Sequence, residues 1–278
     1  LTHTSGIPDY NHLMLNYHLD YTYQQLINFA TQMGLDFLPG DQWSYSNTGY
    51  ILLGIIIQRV SGKPYWEILS QYIWSQAQMD QIEINQINKV TKNRCNGYLQ
   101  QILKNQKLQN EKEKLENEKN ISTQSQLVST TNFKNEKNIS TQSQLVSNKH
   151  EIFYQNQNWV SNSLSQTADG SLLLTLNDMI KWNKVINDRA ILNKESWDLI
   201  FSPVKLNNGT TFPYGFGWFL DQFKSHCVYQ HSGGWQGFRT FFRRFDDLNI
   251  SITVLANSDQ INVLEITDIV SEWVLDLL

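Results

Sequence analysis

Thirteen residues, Asn117–Ser129, recur without a change at Asn135–Ser147, and this copy limits what the chain can fold into. It lies in a stretch from about residue 100 to 151 that is rich in Asn, Gln, Lys and Glu and poor in aromatics. Such a composition cannot bury enough apolar surface to offset the entropy of ordering it. Two short copies are too few to stack into a solenoid. The stretch therefore reads as a surface insert that has undergone a recent duplication, with a charged helix predicted over Asn110–Asn120. The folded body must come from residues 1–99 and from the segment that begins near Trp159, as one domain over 1–278 interrupted by the 100–151 insert.

The two outer segments have enough apolar residues for a core, and nine Trp, twelve Tyr and thirteen Phe favour a folded, grooved protein. Apolar spacing predicts helices over Tyr21–Met33, Asn47–Val60 (closed by Ser61-Gly62) and Pro64–Ser75. Thr175, with Asp178 three residues on, predicts a helix start running to Ile186, and a further helix covers Lys194–Phe201. The period then changes to two. Strands are expected at Tyr214–Leu220, Cys227–His231, Phe238–Phe245 and Ile250–Ala256, with Asp246-Asp247-Leu248-Asn249 turning between the last two. Asn262–Leu278 closes the chain as an amphipathic helix, with Val263, Ile266, Ile269, Val270, Trp273, Val274 and Leu277 on one face. The class is α+β: a helical region, then an antiparallel sheet covered by a C-terminal helix.

Several functions are disfavoured. The net charge of −4 leaves no footprint for nucleic acid, and the densest basic cluster, Arg239, Arg243 and Arg244, is small and sits in a strand pattern. Cys95 and Cys227 read as free thiols, no Cys/His group has zinc spacing, and no cofactor is implied. The longest apolar run, Tyr50–Ile57, is too short to span a bilayer. Oligomeric state is left open.

Two short polar motifs remain, Tyr45-Ser46-Asn47 on a loop and His231-Ser232-Gly233-Gly234 at a strand end. Read singly, Tyr45 fits an ordinary buried aromatic, Asn47 a helix cap, His231 a strand-end histidine and Gly233-Gly234 a turn. Thr2-His3-Thr4-Ser5-Gly6 reads as a structural turn. Trp218, Trp235 and Phe238 fit a groove lining and a core equally well.

Five motifs stand in order: Leu1-Thr2-His3-Thr4-Ser5-Gly6-Ile7-Pro8, Tyr45-Ser46-Asn47-Thr48-Gly49-Tyr50, Ala168-Asp169-Gly170-Ser171-Leu172, Tyr214-Gly215-Phe216-Gly217-Trp218 and His231-Ser232-Gly233-Gly234. Together they resemble the β-lactamase-related serine hydrolases, which include class C β-lactamases, D-aminopeptidases and penicillin-binding proteins. The resemblance implies a β-lactamase/transpeptidase-like fold and acyl transfer on an ester, amide or peptide-like substrate through an acyl-enzyme. It assigns proton transfer to Tyr45, which needs a neighbouring cation to act as a base near neutrality. His231 takes the place of the family's strand lysine as the second catalytic residue, which tilts the reading towards esterase or peptidase. Asn47, Ser232, Gly233 and Gly234 become substrate-binding residues. The two glycines leave the strand open to close approach, and the Gly234 N–H serves as an oxyanion donor.

The family's nucleophile lies in a Ser-x-x-Lys ahead of the Tyr-x-Asn motif. The sole Ser-x-x-Lys here, Ser202-Pro203-Val204-Lys205, follows Tyr45, and Pro203 suits a helix end. The expectation is thus an N-terminally truncated domain, without its nucleophile, inactive alone and exposing Ile250–Ala256 as an apolar edge. A non-catalytic ligand-binding relative and an inactive gene remnant are the alternatives. The resemblance implies a periplasmic or extracellular location.

Overall fold

The structure, a computed structural model, describes residues 1–10, 19, 21–85, 89–103, 151–156 and 167–278. It divides into two compact units, one of Leu1–Tyr98 with Asn156–Leu278 and one of Leu99–Gln155. The duplicated segment and the helix expected over Asn110–Asn120 lie outside the described residues.

Helix α1 (Tyr23–Gln32) starts two residues after the predicted Tyr21, at a cap on Thr22. Thr22 accepts from the Gln25 N–H and the Gln25 side chain accepts from the Thr22 N–H, so two otherwise orphaned donors are paired. Helix α2 (Asn47–Ser61) is capped by Ser46, whose hydroxyl accepts from the Gly49 N–H at 3.1 Å, and it ends at Gly62 in the left-handed region. The N-cap is therefore Ser46, and Asn47 is the first helical residue. Thr48, Ile51 and Ile55 form the buried stripe of α2. Ile51 and Ile55 join Tyr10 and Leu26 in one core cluster, and burying each isoleucine contributes about 1.5–3 kcal/mol. Helix α3 (Tyr65–Leu69) continues into a π-helical turn, Ser70–Trp74.

Strands β1 (Glu83–Ile84), β2 (Tyr98–Leu103), β3 (Glu151–Asn156) and β4 (Leu172–Leu173) form two small pairs, β1 with β4 and β2 with β3. Helix α4 (Leu176–Asn187) carries the predicted Thr175–Asp178 capping box, and α5 (Lys194–Ile200) stops short of Pro203. Strands β5 (Val204–Lys205) and β6 (Thr211–Phe212) pair with each other. The main sheet follows as an antiparallel meander in the order β10-β9-β8-β7, built from β7 (Phe219–Phe223), β8 (His226–Trp235), β9 (Phe238–Phe245) and β10 (Ile250–Ala256). Asp246–Asn249 makes the predicted turn, with Asn249 at φ 55°. Helix α6 (Val263–Asp276) packs on β9 and β10.

Three expectations need correcting. The strand expected at Tyr214–Leu220 begins at Phe219, because Gly217 at φ 82° turns the chain and leaves Tyr214 only an isolated bridge to Phe219. Strand β8 runs on to Trp235, so His231 lies within it and not at its end. Helix α6 is rotated from its predicted face. Val263, Thr267 and Ser271 are the buried residues, and Ile266, Ile269, Trp273 and Leu277 are exposed. The hydroxyls of Thr267 and Ser271 donate to the carbonyls of Val263 and Thr267, at 2.7 and 2.6 Å, so small polar residues can face the sheet without an unpaired donor.

Two of the three arginines of the basic cluster are buried. Arg243 and Arg244 are 3% and 1% exposed. As neighbours on β9 they point to opposite faces. Arg243 donates to Ser271 at 3.0 Å and pairs with Asp268 at 2.8 Å, both on α6. Arg244 donates to Asn183 and Asn187 of α4 at 2.8 and 3.1 Å, and to Asn249 and Asp246 of the turn at 2.9 and 3.2 Å. Arg244→Met removes the buried donor shared by four part-buried hydrogen bonds and should lower the unfolding free energy by about 3 kcal/mol in urea titrations. Arg239→Met, on the same strand, should cost under about 1 kcal/mol.

Candidate active site

The start of α2 supplies the first wall. Its N-terminus is strapped to the Asp9–Tyr10 segment. Asp9 accepts from the Asn47 backbone N–H at 2.6 Å and from its side-chain amide at 2.9 Å, and Thr48 accepts from the Tyr10 N–H at 2.8 Å. The carboxylate of Asp9 sits at the positive end of the helix dipole. This fixes the Asn47 side chain, one of whose two amide N–H donors is used on Asp9. It also sets Tyr45, one residue before the cap, beside the sheet.

Strand β8 supplies the second wall. Strand β7 pairs with it only as far as Gln230, opposite Phe219, whereas β9 pairs with it on to Trp235. The outer edge of His231–Trp235 therefore extends past β7. Tyr45 and His231 meet here, with ring centroids 5.9 Å apart. Gly233 lies opposite Thr240, and a Cβ on it would come within 2.2 Å of the threonine hydroxyl. Gly233 is thus required by its cross-strand neighbour, a packing reason that the sequence reading did not include. At Gly234 a Cβ would meet the end of Arg239 at 3.2 Å, and Ser232 and Gly234 are exposed.

Two residues not on the candidate list sit between these walls. His3, buried and at φ 58°, stacks 4.2 Å from the Tyr45 ring. Its Nδ1 accepts from the Ser46 N–H at 3.0 Å and its Nε2 is 3.1 Å from the Tyr214 hydroxyl. That hydroxyl is also 3.1 Å from Nε2 of His231, whose Nδ1 is 2.7 Å from the Ser232 carbonyl. Both residues belong to the five quoted motifs. The sequence signal was present, but the turn reading of Thr2–Gly6 and the strand reading of Tyr214 concealed it. Asp9, a third unlisted residue, follows Pro8 directly.

The electrostatics hold every ring neutral near pH 7. Burial, with Asp169 and Asp9 adding repulsion, pushes the Tyr45 hydroxyl up to about 12, so roughly one molecule in 10⁵ carries the phenolate at pH 7. No hydrogen bond to a described residue engages that hydroxyl. Burial lowers His3 to about 4 and also lowers His231. Burial raises Asp169, whose carboxylate accepts from the Tyr10 hydroxyl at 2.8 Å. Ser202 donates back to the Asp198 carbonyl at 2.6 Å, while Lys205 lies on β5, so the two share no helical turn. Trp218 packs in the cluster containing Phe242, and Trp235 packs against the one containing Ile51. Among the described residues no group of three His, Cys, Asp or Glu has metal-binding geometry, and no helix is long and apolar enough to cross a membrane.

Residues 1–273 match the Beta-lactamase family. A penicillin-binding protein of Bacillus subtilis is 26% identical over 266 residues, 94% of this chain and 51% of its own, so the chain spans about half the length of that relative. Among solved structures, the octameric penicillin-binding protein homologue from Pyrococcus abyssi superposes with a TM-score of 0.67 at 22% identity, over 99% of this chain and 55% of that one. The D-amino acid amidase from Ochrobactrum anthropi complexed with D-phenylalanine gives 0.67 at 19%, over 100% and 71%. These structures share its fold.

The depressed His3 has a direct consequence for stability. The folded state keeps this ring neutral down to about pH 4, whereas the unfolded chain takes up the proton near 6.5. The contribution of His3 is therefore complete above about pH 6.5, declines as pH falls through that window and levels off below about 4. His3→Asn keeps an acceptor for Ser46 and suits the positive φ. The stability gap between wild type and this variant should be widest above pH 7 and should narrow by pH 4.5, as read by denaturant titration.

Proposed function

The chain belongs to the Beta-lactamase family, and from that premise we propose that it carries the substrate-binding and proton-handling parts of an acyl-transferring serine hydrolase. The substrate is an ester, amide or peptide-like carbonyl compound. The observation that carries this reading is the edge of β8 at His231–Trp235, which extends beyond β7 with the Tyr45 ring beside it. An extended ligand adds to such an edge through main-chain hydrogen bonds. Ser232, Gly233 and Gly234 line that edge, and the Gly234 N–H is the proposed donor to a developing oxyanion. Asn47, oriented by Asp9, presents its side-chain oxygen towards a substrate amide or a catalytic lysine. Tyr45 passes protons between the nucleophile and the leaving group.

With a pKa near 12, Tyr45 works as a base only when a cation is brought beside it. The nucleophilic serine and its lysine supply that cation in this mechanism, and Ser202–Lys205 does not fill the part. Residues 1–278 are therefore assigned binding and proton transfer, and the nucleophile is not. The same high pKa is what favours the second reading, a relative that binds a peptide-like ligand without turning it over.

Kinetics separate the two. In the protein as its gene encodes it, Tyr45→Phe should reduce kcat for an activated ester by about 10²–10⁴-fold with little change in KM. Residues 1–278 expressed alone should give no saturable hydrolysis. Saturable turnover by residues 1–278 that Tyr45→Phe abolishes would place the nucleophile among them and overturn that assignment. Ligand binding with no turnover in the gene's full product would establish the second reading.

A further inference from the structure

The hydrogen bonds linking the two walls of the site have only one consistent direction. A backbone N–H can only donate, so the Ser46 N–H fixes Nδ1 of His3 as an acceptor. Neutral His3 must then carry its proton on Nε2 and donate it to the Tyr214 hydroxyl. A carbonyl oxygen can only accept, so the contact between His231 Nδ1 and the Ser232 carbonyl requires the proton of His231 on Nδ1. Nε2 of His231 is left as an acceptor, and the Tyr214 hydroxyl, already accepting from His3, has its own proton to give. Each of the four contacts, at 3.0, 3.1, 3.1 and 2.7 Å, is used once, with no donor facing a donor.

We propose that Tyr214 is a positioning residue, held by His3, that occupies Nε2 of His231 while the Ser232 carbonyl holds the Nδ1–H tautomer, so that both ring nitrogens are engaged. His231 then lines the site as a neutral ring with a carbon edge. It offers a ligand neither a cation nor a free lone pair, and its contribution is to brace the Ser232 carbonyl and the strand edge. The inference rests on the reading of that edge as the ligand-binding one. It narrows the proton-transfer role to Tyr45, because His231 has no nitrogen left to take part.

Several other observations agree. Tyr214 is 1% exposed and its ring is packed by Trp43 at 5.5 Å and Phe219 at 4.8 Å, which fixes the position of its oxygen between the two histidines. Phe219 also lies 5.6 Å from the His231 ring, restricting its rotation. Burial lowers the pKa of both histidines, in keeping with two neutral rings. A charged His3 would put its Nδ1–H against the Ser46 N–H, two donors face to face.

The test needs no turnover, so it fails or succeeds independently of the hydrolase reading. Residues 1–278 with ¹⁵N-labelled histidine are examined at pH 7.5 by long-range ¹H–¹⁵N correlation, with His3→Asn and His231→Gln identifying the signals. The expected result is His231 protonated on Nδ1 and His3 on Nε2. In Tyr214→Phe, which keeps the aromatic packing, His231 should stay protonated on Nδ1, held by the Ser232 carbonyl, while its Nε2 resonance moves to that of an acceptor that has lost its donor. Wild-type His231 protonated on Nε2, or on both nitrogens, would overturn the proposal, and so would a His231 Nε2 resonance unmoved by Tyr214→Phe. Should Tyr214→Phe fail to fold, the wild-type spectrum decides alone, supported by His3→Asn. That variant removes the donor to Tyr214 but not the proton Tyr214 gives, and it should leave His231 on Nδ1.

Discussion

Two adjacent arginines on one strand hold the body together. Arg243 and Arg244 are nearly fully buried, point to opposite faces of β9, and hold α6 on one side and α4 on the other. Burying two guanidinium groups is costly unless each donor finds a partner. Here Asn183, Asn187, Asn249, Asp246, Gln230, Ser271 and Asp268 provide them. The arrangement also fixes register. Arg243 lies opposite Gln230 and bonds its side chain at 2.8 Å, which puts Phe242 opposite His231. A slip of one residue would exchange the faces of β8 and turn His231 away from Tyr45. The site strand thus inherits its alignment from an ionic network on its neighbour.

Much of this architecture was legible in the sequence wherever a local rule determined the outcome. Thr175 with Asp178, Gly62 after α2 and the Asp246–Asn249 turn each act within a few residues, and each stands where the pattern put it. The α+β class followed from the change of period. What local rules could not give was the orientation of α6. Its apolar spacing suggested one face, but the reach of Arg243 to Ser271 and the self-satisfied hydroxyls of Thr267 and Ser271 selected another. The start of β7 was missed for a related reason, since the turn at Gly217 outweighs the strand propensity of Tyr214 and Phe216.

The candidate site shows the same division. Motif and order make Tyr45 and His231 candidates, and the fold brings their rings together although 186 positions separate them (231 − 45). Their support was not legible, because it is long-range. Asp9 reaches Asn47 across 38 positions and His3 reaches Tyr214 across 211. The duplicated stretch lies between β2 and β3 in the sequence. Its flanking strands, Tyr98–Leu103 and Glu151–Asn156, pair with each other, so its ends are held side by side. Once a loop's ends are fixed, doubling its length costs only about 0.6 kcal/mol.

The chain from Ser46 through His3, Tyr214 and His231 to Ser232 has the parts of a proton wire but is closed at both ends. An amide N–H at one terminus does not release its proton near neutrality, and a carbonyl at the other does not accept one. Reversing the chain would require both, so its polarity is permanent. The site therefore contains four hydrogen bonds that run head to tail in one direction and carry no proton along it.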